Sequence, residues 1–223
     1  MNQRLYEILS EHLTERKRNL FDDVANHRTR YITLILEDLY QAQNTSAIQR
    51  SAESWGLQDL YIIENAHSFT HHRRVAKGAY DWLDIHRFNE SIDNSKSCIE
   101  HLKENGYQIV VTALHENAID PDQLDLNKKT AVLMGTELTG ASETAMKMAD
   151  HFLKIPTCGF TESLNVGAAA AVIVHDLTRR MKREKKQWQL SDEEKLLLKI
   201  KWAKKSIHWS KYLTDMFEAG ELK

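Results

Sequence analysis

The 223-residue chain has the composition of a globular protein, with 42% apolar and 28% charged residues. This composition argues against an intrinsically disordered chain. No apolar run reaches the roughly 18–20 residues of a bilayer-spanning helix, so we expect no membrane partner. The formal net charge of −2 would argue weakly against a polyanionic partner only if the charges were evenly spread.

The charges are not evenly spread. Residues 178–223 contain 13 Lys and Arg against 7 Asp and Glu, a local net charge of +6, which leaves −8 for residues 1–177. Smaller basic clusters lie near the N-terminus and in the loop after the second predicted strand. Their candidate polyanion-binding residues are Arg16, Arg18, Arg73, Arg74 and Lys77. Local patches of this kind attract a phosphate backbone whatever the total charge.

The N-terminal sequence and the number of cysteines indicate the cellular compartment in which the protein is expected. Residues Met1–Glu7 lack the apolar core of a signal peptide, so we expect a cytoplasmic protein. Cys98 and Cys158 are too few for a disulfide scaffold, and the apolar helical stripe around Cys98 predicts a reduced core residue. The three histidines of residues 67–77 lack the paired carboxylate or thiolate of a metal site, so we expect no metal.

The first part of the chain predicts a helix followed by strand–helix–strand. Residues 3–18 have apolar positions at helical spacing and a basic end. Tyr31–Leu36 is apolar on both faces, as a buried parallel strand is. Asn44 is a candidate N-cap for a helix that stops at Gly56, and Leu60–Glu64 predicts the second strand.

The middle of the chain continues the alternation of helices and strands. A helix over residues 91–105, strands at Tyr107–Leu114 and Lys129–Met134, a short helix capped by Ser142 and a strand at His151–Ile155 follow in order. This order predicts an α/β core with a mainly parallel sheet.

Residues 154–177 are the most informative stretch. Pro156 stops the preceding strand, and Ser163 and Asn165 favour a helix N-cap. From Val166 the residues are small and apolar on every side, which predicts a tightly packed helix. A strand, a polar loop and a helix start together form a place where backbone N–H groups meet a ligand. The alternative is a capped, buried helix without a ligand.

The C-terminal segment predicts one further helix. Ser191 and Glu194 have the spacing of a capping box, and the helix they open runs to about Tyr212. Three tryptophans in this segment are predicted to pack rather than to stack on bases: Trp188, Trp202 and Trp209.

Three segments resemble the signature motifs of the SpoU class of RNA 2′-O-methyltransferases, within the SPOUT superfamily. They are Asn44–Gly56, with Asn and Arg six residues apart, then Leu133–Gly140 (Leu-Met-Gly-Thr-Glu-Leu-Thr-Gly), then Ile155–Val166 (Ile-Pro-x-x-Gly-x-x-x-Ser-Leu-Asn-Val). No Gly-x-Gly-x-x-Gly fingerprint follows the first strand, which argues against an ordinary Rossmann methyltransferase or dehydrogenase.

The resemblance implies a fold that the residue pattern does not predict. This fold is an α/β domain with a mainly parallel sheet, whose C-terminal segment threads a loop to form a trefoil knot. The implied domains are an N-terminal helical extension (residues 1–30), the knotted core (31–177) and a basic C-terminal helical extension (178–223). Members of the family are homodimers with active sites near the subunit boundary, and we expect the same here.

Within the class, the two extensions make the layout most similar to the TrmH type, which methylates the ribose 2′-hydroxyl of guanosine 18 in the tRNA D-loop. The resemblance therefore implies S-adenosylmethionine (SAM) as the cofactor and tRNA as the substrate. Two alternatives stay open. One is the same reaction on ribosomal RNA or on the wobble nucleotide of tRNA. The other is a knotted RNA-binding protein without catalysis.

The resemblance also assigns site residues. Arg50 matches the catalytic arginine. Because a guanidinium stays protonated, we expect it to stabilise the developing 2′-oxyanion rather than to act as a base. The other implied catalytic residues are Asn44, Glu137, Ser163 and Asn165, and the implied cofactor positions are Thr112, Gly135, Ile155 and Leu164. The basic residues named above become candidates for tRNA binding.

The chain departs from the family pattern at two positions. Gly167 stands where the third motif often continues with serine, and Ala141 stands where a larger apolar residue is commoner. We expect close packing around the helix to be the reason for Gly167.

Overall fold

A computed structural model describes residues 1–70, 78–184 and 187–222 of the chain. The chain divides into two compact units. The first, here called the terminal unit, combines Met1–Arg28 with Gln189–Lys223, and the second, the central unit, comprises Thr29–Trp188.

The described residues contain helices and strands in the following order along the chain. The helices are α1 (Asn2–Glu11), α2 (Glu15–His27), α3 (Ala42–Ser54), α4 (Asn94–Glu104), α5 (Glu143–Met148), α6 (Val166–Glu184), α7 (Asp192–Ser206) and α8 (Ser210–Glu218). The strands are β1 (Ile32–Glu37), β2 (Asp59–Ile63), β3 (Asp84–Phe88), β4 (Tyr107–Thr112), β5 (Ala118–Ile119), β6 (Lys129–Met134) and β7 (His151–Leu153). Single 3-10 turns lie at Ala79–Trp82 and Pro121–Gln123.

The strands of the central unit form one parallel sheet. Its order is β3-β2-β1-β6-β4-β7-β5, and every pairing between neighbours is parallel. In the middle of the sheet Leu34 of β1 is in register with Leu60 of β2 and Val132 of β6. The predicted α/β core with a mainly parallel sheet is therefore confirmed, and all strands end at the same edge.

The hydrophobic core covers both faces of this sheet. Because side chains alternate along a strand, Leu34 and Leu36 of β1 join a cluster with α3 and α6, whereas Ile35 joins a cluster with α4. Cys98 is fully buried in the second cluster and is a free thiol, as predicted. Burial, and then the nearby Glu37 carboxylate, raises the pKa of the Cys98 thiol.

A carboxylate ties together two loops at the carboxyl edge of the sheet. Asp38, directly after β1, has a φ of 51°. Its Oδ1 accepts the backbone N–H groups of Asn65 (2.8 Å), Ala66 (2.8 Å) and His67 (3.2 Å), which follow β2. Aspartate is among the few residue types that tolerate this left-handed conformation. These three hydrogen bonds fix the path of the loop that leads from β1 towards α3.

The predicted N-cap at Asn44 is wrong. α3 begins at Ala42 with Gln41 as its N-cap, so Asn44 lies within the first turn. The reason is that the Asn44 side chain bonds to two other side chains, those of Gln41 and Glu137, instead of to a backbone N–H group. The predicted end of the helix is confirmed, because Gly56 follows it with a φ of 87°.

The predicted helix over residues 3–18 is wrong in extent. α1 ends at Glu11 and α2 begins at Glu15. Thr14 lies between them in an extended conformation, and its Oγ1 accepts the backbone N–H of Lys17 at 3.3 Å. A good N-cap residue inside the predicted helix thus starts a second helix.

The C-terminal helix is also shorter than predicted. The capping box is confirmed, since Ser191 Oγ accepts the N–H of Glu194 at 3.3 Å and Glu194 Oε2 accepts the N–H of Ser191 at 2.8 Å. α7 then ends at Ser206. Ser210 Oγ donates to the carbonyl of Lys204 at 2.6 Å, so a side chain takes up an acceptor of the last turn and α8 begins anew.

The three tryptophans have different surroundings. Trp202 is buried in the terminal unit, with its ring centroid 5.5 Å from that of Phe21. Trp188 is partly buried against the core of the central unit. Trp209 is about half exposed, although its ring lies 4.5 Å from His12. The predicted packing role is thus confirmed for Trp202 and Trp188, and Trp209 keeps one face in solvent.

Candidate active site

A cavity of about 550 Å³ opens at the carboxyl edge of the sheet. Its walls are the loops after β4, β6 and β7 and the first turns of α3 and α6. Ligands of open α/β sheets bind at this edge, and the volume lies in the range of small-molecule sites. The structure brings the following predicted site residues together on the cavity wall: Asn44, Thr112, Gly135, Glu137, Ile155, Ser163, Leu164 and Asn165.

Gly135 begins a tightly closed turn on this wall. The N–H of Thr136 donates to the carbonyl of Gly140 at 3.0 Å, and the N–H of Gly140 donates to the carbonyl of Thr136 at 3.1 Å. A Cβ atom on Gly135 would lie 2.4 Å from the carbonyl carbon of Gly140 and 2.4 Å from the nitrogen of Ala141. Only glycine fits here, because any side chain at this position would collide with the backbone that closes the turn.

A network of amides joins the three sequence motifs. Asn44 Nδ2 donates to Gln41 Oε1 at 3.0 Å and to the Glu137 carboxylate. Asn165 Nδ2 donates to Asn44 Oδ1 at 3.0 Å. The two N–H groups and the oxygen of the Asn44 amide are therefore all used, which fixes the orientation of this side chain. Asn44, Glu137 and Asn165 come from the first, second and third motif respectively.

The second oxygen of the Glu137 carboxylate is not engaged in this network. Oε2 is buried and accepts no hydrogen bond from the described residues. A buried carboxylate oxygen without a donor is costly. The arrangement therefore suits a bound molecule that brings an N–H or O–H group to Glu137.

The start of α6 is capped and closely packed. Asn165 Oδ1 accepts the N–H groups of Gly167 at 2.9 Å and Ala168 at 3.3 Å, which confirms Asn165 as an N-cap. A Cβ atom on Gly167 would lie 3.2 Å from the Cβ of Ala47 on α3. The close approach of α3 and α6 is thus a physical reason for glycine at this position.

Arg50 is the predicted catalytic residue that does not line the cavity. It is exposed on α3, and among the described residues no hydrogen bond or ion pair is made to its guanidinium. Six residues separate it from Asn44, which in a helix is a rise of about 9 Å and a rotation of about 240°. Asn44 therefore faces the cavity while Arg50 faces solvent in the isolated chain.

The predicted RNA-binding residues have different surroundings. Arg16 is exposed on α2. Arg18 donates from Nη1 to the carbonyls of Ser10 at 3.0 Å and Leu13 at 3.1 Å, so it caps the end of α1. The remaining candidates lie outside the described residues: Arg73, Arg74 and Lys77.

Gln41 is a wall residue that the sequence analysis missed. Besides accepting from Asn44, it donates from Nε2 to the Tyr40 hydroxyl at 3.1 Å. Glutamine has no marked preference for a cap or a site, so its residue type gave no signal. Its spacing of three residues before Asn44 is the feature that could have identified it, because such pairs are neighbours on a helix.

Comparison with known proteins identifies the family. A model of the SpoU rRNA Methylase family matches residues 31–175, which include all three motifs. This chain belongs to the SpoU methylase family. Its relative in Borreliella burgdorferi, "tRNA (guanosine(18)-2′-O)-methyltransferase", is 34% identical over 212 residues, and the match covers 95% of each protein.

Solved structures of SpoU proteins have the same fold. The A. aeolicus TrmH/SpoU tRNA modifying enzyme matches with a TM-score of 0.77 and 26% identity, covering 86% of this chain and 98% of that chain. The SpoU methyltransferase AviRb from Streptomyces viridochromogenes, in complex with the cofactor AdoMet, matches with a TM-score of 0.61 and 23% identity, covering 73% of this chain and 62% of that chain. The predicted SpoU methyltransferase class and its α/β fold are confirmed, and the trefoil knot stays a prediction.

None of the helices in residues 1–70, 78–184 and 187–222 combines the length and apolar character that a bilayer crossing requires. Over the same ranges, no three His, Cys, Asp or Glu side chains gather as metal ligands do.

Proposed function

We propose that this SpoU methylase acts in the cytoplasm and transfers a methyl group from SAM to the ribose 2′-hydroxyl of guanosine 18 in tRNA. The observation that carries the proposal is the amide network, in which Asn44, Glu137 and Asn165 join one residue of each motif on the wall of a single cavity. The similarity to the Borreliella relative over 95% of both proteins supports the choice of tRNA and of position 18.

The residues of the cavity fit SAM as a ligand. Ile155 and Leu164 offer apolar surface to a purine ring, and the closed turn at Gly135 forms part of the same wall. Glu137 offers a buried carboxylate oxygen to a ligand N–H or O–H group. When bound, SAM supplies a methyl group that is electrophilic because it is attached to a sulfonium.

The chain's own part in the reaction is orientation and charge stabilisation. Methyl transfer is an in-line displacement, so its rate depends on holding the ribose oxygen in line with the methyl group. Asn44 and Asn165 are held by each other and therefore present polar groups in fixed positions. Arg50 faces solvent in the isolated chain and reaches the 2′-oxygen only in the assembled protein, where it stabilises the negative charge that develops on that oxygen. Water or a phosphate of the RNA accepts the proton.

A second copy of the chain completes the site in this proposal. The exposed surface of α3 and α6, here called the α3–α6 surface, carries Arg50, Trp55, Ala168 and Val172. Trp55 directly follows α3 and Val172 lies on α6, and both are large, exposed apolar residues. Exposed apolar patches of this kind mark interaction sites. A second copy seated there removes water from around Arg50, which strengthens the electrostatic effect of its charge.

The experiment that tests the proposed function maps the methylated nucleotide. Purified protein is incubated with radiolabelled SAM and an unmodified tRNA transcript, and the label is located by nuclease digestion and mass spectrometry. We expect a single 2′-O-methylguanosine at position 18, and we expect Arg50→Ala to lose the label while its circular dichroism spectrum is unchanged. Label at the wobble nucleotide or only in ribosomal RNA contradicts the substrate. Failure to bind SAM contradicts catalysis altogether.

A further inference from the structure

Each of the three loops that wall the cavity presents at least one large apolar side chain that is more than half exposed to solvent. Leu114 lies after β4 and is 66% exposed, Leu138 lies after β6 and is 84% exposed, and Phe160 lies after β7 and is fully exposed. We call these three residues the apolar rim. Singly exposed apolar residues are common on protein surfaces, but three on the loops of one cavity indicate a contact surface.

The path of the chain places Phe160 at the mouth of the cavity. Residues 154–155 line the wall, and the wall resumes at Glu162. The residues in between, 156–161, are all exposed and do not line it. The loop therefore leaves the wall, passes through solvent, and returns to the wall two residues after Phe160. Among the described residues, no ring contact is made to Phe160, so its ring is available to a flat partner.

The same reasoning applies to Leu138. It lies between Glu137 and Gly140, both of which line the cavity, yet its own side chain points away from the wall into solvent. Leu114 lines the cavity while remaining two-thirds exposed, so this residue of the rim also belongs to the wall. The apolar surface of Leu114 therefore extends from the cavity wall into solvent.

The reaction determines which part of the substrate contacts the apolar rim. A ribose whose 2′-hydroxyl enters the cavity carries its base on the neighbouring carbon, so the base must lie close to the opening. A nucleobase is flat and apolar on its faces, and its stacking on an aromatic side chain contributes about 1–3 kcal/mol per base. Protein surfaces that bind unpaired RNA use exposed aromatic rings in this way.

We propose that the apolar rim holds the base of the nucleotide that is methylated, with the ring of Phe160 stacked on that base. This inference rests on the proposed function and adds the subsite for the base to it. Because every base has an apolar face, stacking on Phe160 contributes affinity and orientation without selecting guanine. The rim therefore acts on the unpaired target nucleotide whatever its identity.

A double-mutant cycle between the ring and the base tests the proposal. The dissociation constant of a tRNA transcript is measured in the presence of S-adenosylhomocysteine for wild type and Phe160→Ala. Each protein is tested with an intact transcript and with one that lacks only the base at the methylated position. We expect Phe160→Ala to weaken binding of the intact transcript about five- to tenfold. On the abasic transcript we expect a change of less than about twofold, because the partner of the ring is already missing.

Two further variants separate stacking from loss of structure. Phe160→Trp keeps a stacking ring and should restore the affinity for the intact transcript. Ile92→Ala removes a side chain that is also fully exposed but lies after β3, at the far end of the sheet, and should leave the affinity unchanged.

Three results overturn the proposal. An equal loss of affinity on both transcripts shows that Phe160 does not contact the base. A rise in the dissociation constant of SAM in Phe160→Ala shows that the ring covers the cofactor, and a change in oligomeric mass shows that it contacts a second copy. A different result bears on the proposed function: it is overturned if the wild-type protein of the same preparation does not methylate the intact transcript. An active wild type with a zero coupling energy in the cycle overturns only the base subsite.

Discussion

Gly135 and Gly159 lie on two loops around the same cavity but meet very different surroundings. A Cβ atom at Gly135 would stand 2.4 Å from backbone atoms of Gly140 and Ala141, whereas one at Gly159 would find no atom closer than 4.0 Å. We expect Gly135→Ala to force the turn open, to lower the free energy of unfolding by at least about 1–3 kcal/mol and to abolish SAM binding. Gly159→Ala is the matched control and should change neither. Thermal unfolding and calorimetric titration measure both effects, and equal behaviour of the two variants contradicts the role of the closed turn.

A second prediction at the scale of the residue concerns the Asn44 amide. Asn44→Ala removes the donor to Glu137 and the acceptor for Asn165, so two groups on the cavity wall lose their fixed positions. Because misplacement of reacting groups by about 1 Å costs roughly 100-fold in rate, we expect a fall in kcat of that order. Gln43→Ala, on the exposed side of the same helical turn, should retain the wild-type rate. Single-turnover kinetics measure the effect, and a normal rate for Asn44→Ala would exclude the network from catalysis.

The sequence could predict most residues of the wall but not the orientation of each one. The three motifs pointed to Asn44, Glu137 and Asn165 because residue type and spacing match a known pattern. They could not show that Arg50 faces away from the cavity, since its orientation follows from the rotation of α3 relative to the sheet. Gln41 was missed because its contribution is a contact between side chains, which no residue preference signals.

At the scale of secondary-structure elements, a charged cluster holds the amino ends of β2 and β3 together. Arg30 donates to Asp59 and, at 2.6 Å, to Asp84, and His86 Nε2 lies 2.9 Å from Asp59 Oδ1. Burial by itself would lower the pKa of Arg30, but the two carboxylates outweigh it and the pKa is raised. The guanidinium therefore stays charged. Its positive charge compensates for the energetic cost of burying the Asp59 carboxylate almost completely.

The prediction for this cluster is a large loss of stability on removal of its cation. Arg30→Met leaves Asp59 buried without its main partner, and we expect the free energy of unfolding to fall by about 3–5 kcal/mol. Lys147→Met breaks an exposed pair with Glu143 and should change it by less than about 1 kcal/mol. Urea unfolding of the two variants provides the measurement. A loss for Arg30→Met no larger than that for Lys147→Met would show that the cluster does not stabilise the sheet.

Elements with an uninterrupted apolar pattern could be predicted, and elements shaped by contacts elsewhere could not. β1 is buried throughout, and its run of apolar residues identified it. β3 has the sequence Asp-Ile-His-Arg-Phe and only partial burial, because it is an edge strand whose polar residues pair with β2 and the preceding loops. Its pattern is that of a surface segment, so no strand was predicted.

At the scale of the whole molecule, the proposed second copy leads to a prediction about assembly. Val172 is exposed on α6 within the α3–α6 surface. We expect Val172→Glu to bury a charge in the interface, to shift the protein from dimer to monomer and to lower methyl transfer at least tenfold. Ile92→Glu, which places the same charge at an exposed site outside that surface, should stay dimeric and active. Sedimentation velocity measures the mass, and a monomeric wild type would contradict the proposed assembly.

The function of the whole molecule could be inferred from motifs but not from periodicity. Helical and strand periods predicted an α/β core, a class that serves many unrelated functions. The resemblance of three short segments narrowed that class to one family, which the match over residues 31–175 confirms. Apolar periodicity carries no information about a trefoil knot or about a second copy, because both depend on how distant parts of the chain, or two chains, are arranged.

The central claim is that the cavity delivers a methyl group to one ribose hydroxyl, and replacing that hydroxyl tests it most directly. A tRNA assembled with 2′-deoxyguanosine at position 18 differs from the all-ribose tRNA by a single oxygen atom. We predict that the deoxy substrate binds with nearly unchanged affinity but accepts no methyl group, while the all-ribose tRNA accepts one per molecule. Equal methylation of the two substrates would contradict the account.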